Sequence, residues 1–178
     1  IGSEGTLGVV TRAVLRLKPL PASQDTAFLG VETFDALPKL LRHMERGLAG
    51  GLSAFEAMWR EFHDLVTSEP ATGRSPLAEP HPYYVLVEGQ GADQEADSAR
   101  FEAVLMEALE AGLISDAAIA KSQAERNAMW ALRDDIGQTS RNWPIFTFDV
   151  SLPIVDMEAY VAEVRKALQA GWPSKATL

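Results

Sequence analysis

Two arginines, Arg126 and Arg133, lie seven residues apart in a stretch whose pattern predicts a helix. At about 100° per residue, both fall on one side of that helix together with Trp130. An arginine can hold a planar carboxylate through two parallel hydrogen bonds. The spacing therefore predicts an arginine stripe, defined by these three residues, in which Arg133 is the candidate for binding the carboxylate of an acidic ligand.

A second interpretation of the arginine stripe needs no ligand. Glu125, Asp134 and Asp135 are close neighbours of the two arginines in the sequence. Ion pairs with these carboxylates would make the stripe an ordinary solvated helix face. Periodicity alone favours this second interpretation over a binding site.

The arginine helix and the segment after it must position these groups. Ser122 followed by Glu125 is a capping box, which predicts that the helix begins at Gln123. The stretch 146–152 alternates apolar and polar residues, which predicts a strand with Thr147 on its polar face. One element would then offer guanidinium groups and the next would offer hydroxyls and a carboxylate.

The composition limits the classes of protein to which the chain can belong. Its 178 residues, of which 47% are hydrophobic, suffice for one soluble domain with a core. The net charge of -9 argues against a nucleic-acid partner and against binding to anionic lipid through a basic patch. The sequence has no cysteine, no apolar run of membrane-spanning length and no signal-peptide pattern. A cytoplasmic location is therefore expected.

The order of the predicted elements is that of a ferredoxin-like fold. Helices should follow Asp35 and Asp93, which are suited to cap them. Strands are predicted at 26–33, at 52–59 as a strand or a strand-to-helix transition, at 83–88 and at 115–120. The order βα-β-βα-β indicates an α+β domain with an antiparallel sheet and helices packed on one face. The arginine helix, the strand after it and a helix from Asp156 would extend this unit.

Two motifs of the chain resemble those of a known enzyme group. They are the residues 130–134 followed by 148–153, and the glycine-rich opening at 1–11. With the glycine-rich opening first and the other motif after it, they resemble the FAD-linked oxidases of the D-lactate dehydrogenase, glycolate oxidase and D-2-hydroxyglutarate dehydrogenase group, in the vanillyl-alcohol oxidase superfamily. The resemblance covers essentially the whole chain. It implies oxidation of a D-2-hydroxy acid to the 2-oxo acid, with Arg133 binding the substrate carboxylate.

The resemblance also implies a division of the chain and makes it a fragment. Residues 1–20 would be a flavin-contacting loop and the last strand, at 9–17, of a truncated FAD-binding domain. Residues 21–178 would be a substrate (cap) domain that is incomplete at its C-terminus. A chain that begins without methionine and stops within a predicted strand agrees with this interpretation.

Further substrate-binding residues are expected around Arg133. Glu56 corresponds to a position that points toward the substrate in similar proteins, and Trp143 stands in a turn from which it could cover an apolar substrate tail. Thr147 and Gly137 stand where the D-2-hydroxyglutarate enzymes often have a lysine and a threonine. The pocket wall thereby lacks a cation and a donor, so a small monocarboxylic acid of the D-lactate or glycolate type is expected.

The cofactors and partners of the intact protein follow from the same resemblance. FAD is expected only in the intact protein, where the segment comprising Gly2, Ser3, Gly5, Thr6, Gly8 and Val9 would line it. The resemblance implies that a divalent metal such as zinc would be held by a motif beyond Leu178. His43, His63 and His81 match none of the ligands in that motif. The expected partners are the hydroxy acid, an electron acceptor that the sequence does not identify and a second copy in a homodimer. Membrane association through the acceptor is an alternative to a free cytoplasmic enzyme.

A non-catalytic role stays open beside the enzyme. A ferredoxin-like domain can also be a ligand-binding or dimerisation module. The arginine stripe would then bind a regulatory carboxylate or a partner protein.

Overall fold

A computed structural model describes residues 5–17, 19–145 and 149–171 of the chain. Within these residues a four-stranded antiparallel sheet has the order β2-β3-β1-β4. The strands are β1 (Ser23–Val31), β2 (Leu52–Trp59), β3 (Tyr83–Gly91) and β4 (Asp116–Ile119). The helices are α1 (Ala36–Gly47), α2 (Arg60–Thr67), α3 (Gln94–Glu110), α4 (Gln123–Asp134) and α5 (Met157–Gly171), with 3₁₀ segments at Ile136–Asn142 and Ile154–Asp156. None of these helices is long and apolar enough to cross a membrane.

The sheet is covered on both faces. Neighbouring residues of a strand point to opposite faces, yet Phe28 and Leu29 of β1 are both fully buried. Leu29 belongs to the core beneath α1 and α3, whereas Phe28 belongs to a second core with residues of α2 and α4. The α+β, ferredoxin-like prediction is confirmed, with α1 and α3 together on one face. α4 belongs to the predicted extension of the ferredoxin-like unit. Together with α2 it covers the opposite face of the sheet.

Local signals set the starts of two helices as predicted. Ser122 Oγ accepts a hydrogen bond from the Glu125 amide at 3.2 Å, and α4 begins at Gln123. Asp93 caps α3 in the same way. Asp35, by contrast, precedes α1 without capping it, because its own backbone is helical (φ -57°, ψ -26°) rather than extended.

Two predicted strands are not formed as expected. Residues 9–17 lie in irregular structure, and apolar side chains there, including Val9, Val14 and Leu17, are exposed. A strand needs a neighbour for its backbone hydrogen bonds, and the described residues provide none for this segment. Of the predicted strand at 146–152, residues 149–152 are irregular and residues 146–148 lie outside the described ranges.

The last helix is largely exposed, although apolar residues recur along one of its faces. Met157, Tyr160, Val161, Val164 and Leu168 are half-buried, and no residue of α5 is fully buried. α5 lies at the edge of the domain, where Arg165 Nη2 donates to Glu61 Oε1 of α2 at 2.6 Å.

Candidate functional site

The arginine stripe faces the sheet rather than solvent alone. Arg126 Nε donates to Glu88 Oε2 of β3 at 3.0 Å, and Arg133 Nε donates to Glu56 Oε2 of β2, also at 3.0 Å. Glu88 and Glu56 share their strand faces with buried residues of the core beneath α4. Each arginine is therefore matched to a glutamate of the sheet, which neither local sequence nor periodicity predicted.

Arg133 stands at the open end of this arrangement. Its side chain is 41% exposed, and its Nη1 donates to Asp134 Oδ1 at 3.1 Å. Hydrogen bonds to Glu56 and then to Asp134 raise the pKa of Arg133, so the guanidinium stays charged. Two of the five N–H groups of a guanidinium are thus used within the described residues. No acceptor for the other three is found among the described residues.

For Arg133 the solvated-face interpretation holds in part, and ligand binding stays a prediction. The ion pair with Asp134 is one that the solvated-face interpretation expected. The ion pair with Glu56 comes from the sheet and holds the guanidinium beside a second, half-exposed carboxylate. For Arg126 the solvated-face interpretation is wrong, because its partner Glu88 is buried.

The other predicted substrate-binding residues are placed differently. Glu56 is brought to Arg133, as described above. Trp143 follows the 3₁₀ segment Ile136–Asn142, is 80% exposed and has no hydrogen bond or ring contact within the described part of the chain. Thr147 lies outside the described residues. The substrate-binding role of all these residues stays a prediction.

The predicted flavin-contacting residues lie in an exposed segment. Gly5, Thr6, Gly8 and Val9 are exposed, and Gly5 has φ +77°, a conformation that favours glycine. A side chain added at Gly5 would meet nothing within 4 Å. Gly2 and Ser3 lie outside the described residues. Within those residues, no group of three or more histidine and acidic side chains is arranged to hold a metal ion.

Glu88 is the residue of this surface that sequence reasoning missed. Its side chain is 5% exposed and accepts six side-chain hydrogen bonds of 2.9 to 3.1 Å. The donors are Gln24, Ser53 and Gln90 to Oε1, and Thr26, Arg126 and Trp130 to Oε2. Burial raises the pKa of Glu88, but these hydrogen bonds outweigh it and bring the pKa to about 2. Glu88 is the one charged residue in the otherwise apolar run 83–88, and this signal in the sequence could have identified it.

Two cavities flank Arg126. The larger, of about 880 Å³, lies between α4 and the loop at 72–74, and Trp130 and Arg74 help to line it. The smaller, of about 260 Å³, adjoins the start of α4. Arg133 lines neither of these two cavities. The half-exposed side chain of Arg133 therefore lies outside both cavities.

Arg141 holds the segment that follows α4. Its guanidinium donates to the backbone oxygen of Glu69 at 2.8 Å and also to those of Leu65 and Ser68 at the end of α2. The carbonyls at a helix end have no partners within the helix, so a cation there is stabilising. This contact ties the 3₁₀ segment, and hence the approach to Trp143, to α2.

Comparison with known proteins gives the chain a family. The family described as FAD linked oxidases, C-terminal domain, matches residues 20–171. A protein named D-2-hydroxyglutarate dehydrogenase, mitochondrial, from Arabidopsis thaliana is 32% identical over 94% of this chain and 30% of its own length. A Schizosaccharomyces pombe protein, named provisionally as a mitochondrial D-lactate dehydrogenase, is 34% identical over 94% of this chain and 32% of its own length. A D-2-hydroxyglutarate dehydrogenase of Xanthomonas citri pv. viticola is 35% identical over 97% of this chain and 36% of its own length.

These comparisons correct one prediction and confirm another. The chain spans about a third of the length of the curated relatives that it matches. The prediction of a cytoplasmic location is wrong, because several of these relatives carry a mitochondrial label in their names. The resemblance seen in the sequence motifs is confirmed. Since the match covers most of its residues, the chain belongs to the family of FAD linked oxidases, as their C-terminal domain.

Proposed function

We propose that this chain supplies the carboxylate-binding wall of an FAD-linked enzyme that oxidises a small D-2-hydroxy acid, of the D-lactate or glycolate type, to the 2-oxo acid. The observation that carries the proposal is the half-exposed guanidinium of Arg133, which is held at Nε and Nη1 and open at its other N–H groups. Relatives named as dehydrogenases of D-2-hydroxyglutarate and D-lactate support the class of reaction.

Arg133 would bind the substrate carboxylate in an orientation that the protein has already set. Glu56 and Asp134 hold the guanidinium from two sides before any ligand arrives. A group held in this way loses less conformational freedom when it binds, which makes each hydrogen bond to the ligand more favourable. The substrate carboxylate would thereby fix the place of its own C2 atom.

The local charge supports a substrate with one carboxylate. One guanidinium stands between two carboxylates at Arg133, so the cluster carries a formal charge of about -1 before the acid binds. The first substrate carboxylate would take the single guanidinium of this cluster, and Gly137 offers no side chain to receive a second. Small monocarboxylic acids therefore suit the site better than dicarboxylic ones.

The proposal includes partners beyond the described residues. Residues 1–20 would belong to the FAD-binding domain, which is supported by exposed apolar residues such as Leu7, Leu17 and Leu20. A divalent metal such as zinc would be held by residues other than those described. An electron acceptor and a second copy in a homodimer complete the expected partners.

The test is the replacement of Arg133 in the full-length protein. Arg133→Gln should lower kcat/KM for the 2-hydroxy acid by about 100-fold or more, mainly through KM, since a charge-assisted carboxylate contact is lost. Steady-state oxidation with an artificial electron acceptor measures this. Arg165→Gln, which breaks the ion pair between Arg165 of α5 and Glu61 of α2, is the matched control and should leave kcat/KM unchanged. Unchanged kinetics in Arg133→Gln would remove this residue from substrate binding.

A further inference from the structure

Glu88 is a junction between the sheet and α4. Its six donors come from β1, β2, β3 and α4, so its carboxylate joins four elements at one point. The two donors from α4, Arg126 Nε and Trp130 Nε1, both bind Oε2 at 3.0 Å. A carboxylate with this many donors has a single preferred orientation, because each hydrogen bond restricts it separately.

The two donors from α4 fix the helix in a way that apolar packing does not. Arg126 and Trp130 are four residues apart and therefore lie on adjacent turns of one helix face. Because both side chains donate to the same oxygen of Glu88, they set the rotation of the helix about its axis and its position along the sheet. The apolar contacts of Met129 and Leu132 are non-directional and set neither so closely.

The position of Arg133 follows from this attachment. Arg133 lies three residues after Trp130 and about 10 Å along the axis from Arg126, at 1.5 Å per residue. On the sheet, Ala54 pairs with Glu88, so Glu56 stands two residues further along β2. The separation of Glu56 and Glu88 is then about 8 Å, from the usual strand dimensions. The distance between the two arginines along α4 is therefore similar to the distance between the two glutamates on the sheet, so both ion pairs can form at once.

We propose that Glu88 is a positioning residue for the acid-binding site: by holding Arg126 and Trp130, it sets Arg133 beside Glu56 with its remaining N–H groups open to the substrate. This inference rests on the proposed function of Arg133. The buried carboxylate of Glu88, which would not touch the substrate, would thereby control how Arg133 binds the substrate carboxylate.

A double-mutant cycle in the full-length protein tests the proposal. Glu88→Gln keeps the shape of the side chain but removes its charge and places an amide against the donors. It should lower kcat/KM for the 2-hydroxy acid by about 10-fold when Arg133 is present, through KM rather than kcat, and by less than about 2-fold in the Arg133→Gln background. A merely structural role for Glu88 would lower kcat/KM by the same factor in both backgrounds.

Two further variants keep the test decisive. Trp130→Phe removes one of the six donors, keeps the apolar ring and should give the same non-additivity at smaller size, even where Glu88→Gln fails to fold. Leu40→Ala in the opposite core is the control, because it should lower Tm without changing KM.

The outcomes separate this inference from the proposed function. Equal losses with and without Arg133, in both Glu88→Gln and Trp130→Phe, would overturn the positioning role of Glu88 and leave the role of Arg133 intact. Normal kinetics in Arg133→Gln itself would overturn the proposed function and this inference with it.

Discussion

The two ends of α4 carry the same ion pair in different surroundings. At the first end, the side chain of Arg126 is 23% exposed and that of Glu88 is 5% exposed. Two turns later, the values are 41% for Arg133 and 37% for Glu56. Both pairs have a nitrogen to oxygen distance of 3.0 Å. The two pairs therefore do not differ in distance. They differ in burial and in the number of hydrogen-bond donors to the glutamate.

This difference makes the buried pair structural and leaves the exposed pair as the one proposed to bind a ligand. A buried carboxylate with six donors has no capacity left, and removing it would leave those donors, the guanidinium of Arg126 among them, without their acceptor. A half-exposed pair contributes little to stability, about 0 to 1 kcal/mol, so a ligand can rearrange it at small cost. Along one helix face, the buried pair fixes the helix, and the exposed pair is the proposed acid-binding site.

The largest effect on stability is expected at the buried end. Glu88→Ala should lower the free energy of unfolding by about 3 to 5 kcal/mol, because Arg126 and the indole nitrogen of Trp130 lose their partner inside the protein. Urea denaturation of the chain, followed by circular dichroism, measures this. A loss below about 1 kcal/mol would show that the two ends do not differ as described.

The pH dependence of stability is a second test of the difference between the two ends of α4. The pKa of Glu88 is about 2 in the folded chain, below its ordinary value of 4.5. The unfolded chain therefore takes up this proton first as the pH falls. The contribution of Glu88 to stability is complete above pH 4.5 and is lost as the pH falls from there toward 2. The free energy of unfolding should fall less steeply over this range in Glu88→Gln than in the unmodified chain, and equal slopes would contradict the assignment.

The smallest effect on stability is expected at the exposed end. Glu56→Ala should change the free energy of unfolding by less than about 1 kcal/mol, since its carboxylate and its partner Arg133 both remain near water. The same urea titration used for Glu88→Ala measures it. A loss as large as that of Glu88→Ala would mean that the open end of α4 is as structural as the buried one.

Short-range signals predicted much of the fold. The start of α4 at Gln123 follows from Ser122 and Glu125, which lie within one turn of each other. Short β-favouring and apolar runs located the four strands of the sheet along the chain. Where a prediction failed, as for the strand at 9–17, the missing information was a partner for the backbone, which no local pattern contains.

The sequence by itself determined the helix on which Arg126, Trp130 and Arg133 share a face, because helical periodicity is a local property of the chain. Only the tertiary structure decided which carboxylates these side chains meet. Glu88 collects donors from positions as far apart as Gln24 and Trp130, and Glu56 lies 77 positions before its arginine. Such partners come together only when the sheet and α4 pack, since burial and long-range hydrogen bonds are properties of the folded chain.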